Sequence, residues 1–152
     1  MNTTGDLHNA NLPSANLHIG PDGLLTVTAA YTPSTHVHEP DSIYYRHYVL
    51  PILGPTSSLA FERLASWLPV DDDASIQINY AEFARTLGTS PGRLTKALTR
   101  LVGHHLANLN PDHPAAIAVR RRVPDLTAHQ LARLTERCPT LAACHNEHRH
   151  AA

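Results

Sequence analysis

The sequence predicts a mainly helical α+β fold, one modest domain with an appendage at each end. Three observations in its 152 residues support this class. Apolar residues recur with a helical period between 91 and 102, and they alternate with polar residues between 75 and 79. Two short apolar runs between 105 and 119 flank a turn-forming segment. The first pattern indicates an amphipathic helix, the second a strand and the third a pair of strands.

The stretch from Tyr80 to Gly103 is typical of two short helices joined by a tight turn. Gly88 is placed to end the first helix, because a residue that tolerates a positive φ often stands there. Ser90 is expected to cap the second helix, and Pro91 suits its first turn, where a missing N–H has no consequence. One face of this second helix is apolar. The opposite face carries Arg93, Lys96, Thr99 and Arg100.

This pair of helices resembles the helix-turn-helix, and the flanking segments resemble the winged form of that DNA-binding superfamily. Ala84 stands four residues before Gly88, where the first helix must let the second approach closely. The strand at 75–79 and two strands around the turn at 110–114 would supply the sheet and the wing. The resemblance covers about residues 56–122. The composition, rich in Arg, Ala and Pro, also resembles that of small winged-helix proteins of actinobacteria and their phages.

The segments outside the two-helix unit divide the chain into three predicted parts. Residues 1–40 are expected to form a tail with a β-hairpin and a linker, 41–122 the winged domain, and 123–152 a helical extension. The hairpin would pair 17–19 with 24–28 around a Gly-Pro-Asp-Gly turn. Within the domain, Asp41 or Ser42 is expected to cap a short helix, and a longer helix is expected to run from 58 to 68.

A net charge of −1 conceals a marked asymmetry between the two halves of the chain. Residues 1–79 hold eight acidic and two basic side chains, whereas residues 80–152 hold five acidic and ten basic ones. The basic half contains the predicted helix-turn-helix and wing, as expected of a phosphate-binding surface. With no apolar run of membrane-spanning length and only two cysteines, the sequence predicts a cytoplasmic, nucleoid-associated protein.

The resemblance implies a sequence-specific protein for double-stranded DNA, most simply a transcriptional regulator, with helix 91–102 in the major groove and wing 104–122 on the backbone. Arg93 and Lys96 are the candidates for base reading, since Arg can bind guanine bidentately. On this reading Arg121→Ala would weaken binding to all sequences. The other expected DNA contacts are Thr89, Ser90, Thr99, Arg100, His104, His113, Arg120, Arg121 and Arg122.

Other functions have weaker signals in the sequence. No catalytic motif is present, so neither an enzyme nor a cofactor is predicted. The tail residues Cys138, Cys144, His145, His148 and His150 are of the type that holds zinc, but they lack the paired spacing of zinc sites, so no metal is predicted and both cysteines are expected in the core.

The chief alternative is a winged helix that binds a protein instead of DNA, because its second helix carries only three basic side chains. A homodimer is expected in the DNA-binding case, since a single winged helix reads a short half-site.

Overall fold

The structure, a computed structural model, describes residues 16–31, 36–71, 73 and 75–151 and has an α+β fold. Its strands are β1 (Leu24–Ala30), β2 (Val37–His38), β3 (Ser75–Asn79), β4 (Ala107–Asn110), β5 (His113–Arg120) and β6 (Val123–Pro124). A π-helix spans Tyr45–Val49. The α-helices are α1 (Leu50–Leu53), α2 (Pro55–Trp67), α3 (Tyr80–Thr86), α4 (Pro91–Gly103), α5 (Ala128–Arg137) and α6 (Pro139–Ala151).

The main sheet has four strands in the order β3-β1-β5-β4, so that β1 lies in its interior. Strand β1 pairs antiparallel with β3 and parallel with β5, and β5 pairs antiparallel with β4. The small second sheet joins β2 to β6. Residues 24–30, predicted to belong to a tail, therefore share a sheet with the strands on either side of the two-helix unit.

The predicted N-terminal β-hairpin is wrong, although its turn is present. Gly23 has a φ of 71° and its N–H donates to the Gly20 carbonyl at 3.0 Å. Residues 17–19, however, form no strand, and the His18 N–H instead donates to the Pro114 carbonyl at 2.7 Å. An isolated two-stranded hairpin is marginal in water, whereas the interior position buries Leu25 completely.

The two predicted helices around the glycine turn are confirmed as α3 and α4. Gly88 adopts a φ of 69°, and the Thr89 N–H donates to the Ala84 carbonyl at 3.0 Å. Ser90 caps α4 by accepting a hydrogen bond from the Arg93 N–H at 3.3 Å. The apolar stripe of α4 faces the core: Leu94, Leu98 and Leu101 are fully buried and Ala97 nearly so.

The two strands predicted after α4 form a hairpin, which we call the β4–β5 hairpin. Its tip is Pro111–Asp112, where the Asp112 N–H donates to the Asn110 side chain at 3.0 Å. Strand β5 begins at His113 and is longer than predicted, because its alternating Ile117 and Val119 are buried against the core while it pairs on both edges.

The core is completed by α2 behind the two-helix unit and by the C-terminal helices. The predicted short helix begins at Ile43 and continues into the π-helix, and Ser42 caps this stretch by accepting from the Tyr45 N–H at 3.2 Å. The buried Tyr45 hydroxyl donates to the Ser58 carbonyl in α2 at 2.8 Å. Burial raises the pKa of Tyr45 well above its usual range.

A part-buried polar contact at Tyr44, just before the π-helix, joins this region to the C-terminal part of the chain. The Leu126 N–H donates to the Tyr44 hydroxyl at 3.0 Å, and that hydroxyl lies 2.8 Å from Nε2 of the buried His145. Thr127 caps α5 in a capping box that includes Gln130. The prediction that both cysteines are buried is wrong for Cys144, which is exposed, while Cys138 is half-buried.

Candidate nucleic-acid interface

Helix α4 presents one continuous polar face to solvent. Arg93, Lys96, Thr99 and Arg100 are all exposed, and Gly92 and Gly103 extend the same face without side chains. The buried positions are those of the apolar stripe, so the 3.6-residue period that forms the core also aligns the basic groups. Helix α4 contains no acidic residue. The charged side chains on this face are therefore all positive.

Hydrogen bonds to neighbouring elements fix the orientation of α4. The buried Ser57 hydroxyl of α2 donates to the Ala97 carbonyl at 3.1 Å, in the middle of α4. At the start of α4, the Tyr80 hydroxyl lies 2.6 Å from Oγ1 of Thr95, and burial raises the pKa of this tyrosine. These contacts hold the exposed face rigidly relative to the core.

The basic face borders a groove of about 290 Å³ between α4 and the start of α2. Arg93, Lys96 and Arg100 line one side, and the first residues of α2, from Gly54 to Ser57, line the other. The Arg100 guanidinium also donates to the Ile52 carbonyl at 3.0 Å, which holds this side chain along the groove. Since the first N–H groups of a helix attract anions, both walls favour a phosphate.

The smaller predicted contacts of this region have defined local roles. The Ser90 hydroxyl is engaged as the cap of α4, and the Thr99 hydroxyl donates back to the Thr95 carbonyl at 2.8 Å. Thr89 lies half-buried in the turn. Of this set, Thr99 lies centrally on the exposed face, between Lys96 and Arg100.

The β4–β5 hairpin contributes little positive charge. Between His104 and Val119 there is no Lys or Arg, and the tip carries Asp112 beside the exposed His113. His104 is half-buried at the end of α4, away from the tip. Apart from Arg120 at the end of β5, any attraction of this hairpin to a phosphate therefore depends on His113 and on backbone N–H groups.

The three consecutive arginines at the end of β5, of which Arg120 is its last residue, have partners within the fold itself. Arg120 donates through Nε to the His105 carbonyl at 2.6 Å and through Nη1 to the Tyr31 carbonyl at 2.8 Å. Arg122 pairs with Glu39 at 3.4 Å. Their contact with DNA stays a prediction, but structural bonding accounts for much of this charge run.

Arg121 binds the loop after α2 through three backbone carbonyls. Its Nη1 donates to Val70 at 2.7 Å, and its Nη2 donates to Asp71 at 2.8 Å and to Pro69. One guanidinium thus holds residues 69–71 against the end of β5. The planar guanidinium suits this arrangement, because its several N–H donors can bind neighbouring carbonyls of one loop at the same time.

Arg121→Ala is therefore expected to lower the free energy of unfolding by about 1.5–3 kcal/mol, the range for hydrogen bonds to a charged group. Arg122→Ala removes the same charge but only an exposed ion pair, so a change of at most ~1 kcal/mol is expected. Equilibrium urea denaturation of both variants measures the difference. Equal stabilities would show that the carbonyl contacts of Arg121 contribute nothing.

A second cationic site, which the sequence did not indicate, lies at the far end of α4. A pocket of about 270 Å³ opens between the C-terminal end of α4 and the first turns of α5. The sequence analysis did not identify His129 and Arg133 as candidate site residues. Their spacing was the available signal, because two residues four positions apart in the first turns of a helix lie on one face. The lining residues are Arg100, Gly103, His104, His105, Thr127, His129, Gln130 and Arg133.

Comparison with known proteins found no matching family model, curated protein or solved structure. In the described part of the chain, no helix is long and apolar enough to span a membrane. Over the same residues, no group of three or more His, Cys, Asp or Glu side chains is arranged to hold a metal ion. The tail residues do not converge: Cys144 is exposed while His145 is buried against Tyr44, and the side chains of His148 and His150 lie outside the described residues.

Proposed function

We propose that this protein binds double-stranded DNA in a sequence-specific manner and acts as a transcriptional regulator, with α4 inserted in the major groove. The observation that carries the proposal is the exposed face of α4, where three basic side chains and one hydroxyl are aligned on a helix fixed to the core. Arg93 and Lys96, nearest the helix start, are the base-reading residues, as the N-terminal part of such a helix approaches the base edges.

The order of elements supports a winged-helix variant. From α2 onward the chain runs helix, strand, helix, helix, strand, strand, which is the order that the resemblance implies. The insertion of β1 between β3 and β5 distinguishes this chain from the predicted arrangement. In this proposal the β4–β5 hairpin is the wing. It approaches the DNA backbone through His113, and no catalytic step is involved.

A homodimer accompanies this proposal, because one recognition helix reads only a short half-site. Selection from a random-sequence duplex pool tests the function directly. Enrichment of a motif, with two inverted half-sites about one helical turn (~10 base pairs) apart, is the expected result. Recovery of unenriched sequences at every round would contradict sequence-specific binding.

A second candidate function, the binding of a protein partner, is favoured by exposed apolar side chains on another surface. Val70 is 95% exposed, and Leu59 and Val70 line a cavity of about 670 Å³ beside α2. The walls combine apolar with charged side chains, a mixture that suits a side chain inserted by a protein partner. Val70→Asp would abolish such binding without changing DNA affinity, so the two functions are separable in one pair of binding assays.

A further inference from the structure

The pocket between α4 and α5 is unusual in the charge of its walls. Five of its eight lining residues are Arg or His, and none is acidic. They come from three places in the chain: Arg100 from α4, His104 and His105 from the segment that follows, and His129 and Arg133 from α5. Concentration of this many cationic or protonatable groups is unfavourable unless something of opposite charge offsets it.

Local hydrogen bonds hold these elements together at the pocket. The Gln130 side chain donates through Nε2 to the His104 carbonyl at 3.3 Å, which joins α5 to the end of α4. His105 adopts a φ of 63°, and the following N–H, that of Leu106, donates to the Leu101 carbonyl at 3.0 Å. The backbone segments that carry the lining side chains are thus held together by the fold.

The electrostatics of His104 report the same positive environment. Its pKa is lowered by burial, and then by the charges of Arg100, Arg133, His105 and His129. Every one of these neighbours acts in the same direction. A bound anion would act in the opposite direction and favour the imidazolium.

We propose that this pocket binds a phosphate-type oxyanion, held by Arg100 and Arg133 with His104 and His129 completing the shell. Guanidinium groups bind tetrahedral oxyanions through paired N–H donors, and each imidazolium adds a further charged donor. The anion is either a free phosphorylated compound or a backbone phosphate of a nucleic acid, since Arg100 also belongs to the groove beside α2. The proposal does not depend on DNA binding, because a free inorganic anion suffices as ligand.

Binding is expected to strengthen as pH falls. Without an anion, the lowered pKa of His104 favours the neutral imidazole in the folded state. The stability that His104 contributes is therefore present above the ordinary histidine pKa of about 6.5, and it is lost as pH falls below that value. An anion in the pocket raises that pKa. The protein therefore takes up protons on binding, and the anion offsets the loss of stability at low pH.

The test is a titration of the full chain with inorganic phosphate, and in parallel with sulfate, at constant ionic strength. Imidazole ¹⁵N resonances of His104, His105 and His129 are followed by NMR at about pH 6 and about pH 8. Sulfate separates the titration of the protein from that of the ligand, because its own charge stays constant across this range. Saturable shifts of His104 and His129, with tighter binding at the lower pH for both anions, are expected.

Two matched variants decide whether the pocket is responsible. Arg133→Gln is expected to weaken the binding of both anions roughly tenfold, as the loss of one charge-assisted hydrogen bond implies. Arg137→Gln, one turn further along the exposed side of α5, removes the same charge outside the pocket and is expected to leave affinity nearly unchanged. Equal weakening by the two substitutions, or linear shifts without saturation in the parent protein, would overturn the proposal.

The source of the phosphate is distinguished by DNA binding of the same two variants. If the ligand is a backbone phosphate, Arg133→Gln lowers DNA affinity and flattens its salt dependence by about one unit, while Arg137→Gln does not. If the ligand is a free compound, both variants bind DNA like the parent, and Arg133→Gln weakens only the binding of phosphate. A parent protein that binds phosphate but no DNA would overturn the DNA-binding proposal and leave the pocket proposal intact.

Discussion

Arg93→Ala is expected to reduce affinity for the selected DNA site by about 1–3 kcal/mol, with a much smaller effect on random duplex DNA. Arg93 is exposed in the first turn of α4, and the Ser90 cap fixes the backbone there. A guanidinium at this place is positioned to bind a base edge when α4 enters the major groove. Its loss would therefore relax specificity at one position of the site.

Arg137→Ala provides the control for this substitution, because it removes the same charge from an exposed helix position outside the proposed interface. Fluorescence anisotropy with the selected duplex and a scrambled duplex measures both affinities. The base-reading role requires the ratio of the two affinities to fall for Arg93→Ala only. Parallel loss on both duplexes would assign Arg93 to the backbone instead.

Leu25→Ala is expected to lower the free energy of unfolding by about 2–5 kcal/mol, the usual range for a leucine truncated in a well-packed core. Leu25 is fully buried in β1, opposite Ile78 of β3, with Val27 of the same strand paired to Ile117 of β5. A cavity at this point weakens the packing of β1 in the core beside both neighbouring strands.

Thr26→Ala is the matched control, because the adjacent residue points to the opposite, partly exposed face of β1. We expect a change within about 0.5 kcal/mol for this variant. Equilibrium chemical denaturation measures both free energies. Similar small losses of unfolding free energy for the two variants would mean that β1 is a peripheral strand, as expected if it belonged to a separate N-terminal hairpin.

The position of β1 illustrates what the sequence can and cannot predict. Alternation of Leu25 and Val27 with threonines correctly indicates a strand with one buried face. Alternation does not identify the partner strands, because pairing over 50 or 90 residues leaves no local signal. The nearest candidate, residues 17–19, was too short to compete with β3 and β5.

The two-helix unit was predictable because its signals are local. Gly88, Ser90 and Pro91 each act on the backbone within one turn, and the apolar period of α4 identifies its buried face directly. The exposed basic face then follows by elimination. The cap of α5 is equally local, since Thr127 and Gln130 bond within its first turn.

The binding partners of the three consecutive arginines could not be predicted from the sequence, because solvent, phosphate and backbone carbonyls can all accept hydrogen bonds from a guanidinium. The structure assigns Arg121 to three carbonyls of residues 69–71, about 50 positions earlier in the chain. The cationic pocket was missed for a related reason. Its histidines and arginines belong to α4, to the segment that follows it and to α5, and their convergence depends on how the two helices pack.

The salt dependence of binding to duplex DNA tests the central claim most directly. Phosphates bound by Arg100 and in the groove beside α2 would each displace counterions, so a plot of log affinity against log salt should have a slope of about −2 or steeper. Arg100→Ala should flatten that slope by about one unit, while Arg137→Ala should leave it unchanged. Absence of binding at physiological salt, or a slope that Arg100→Ala does not alter, would contradict the proposal that α4 is the DNA-binding helix.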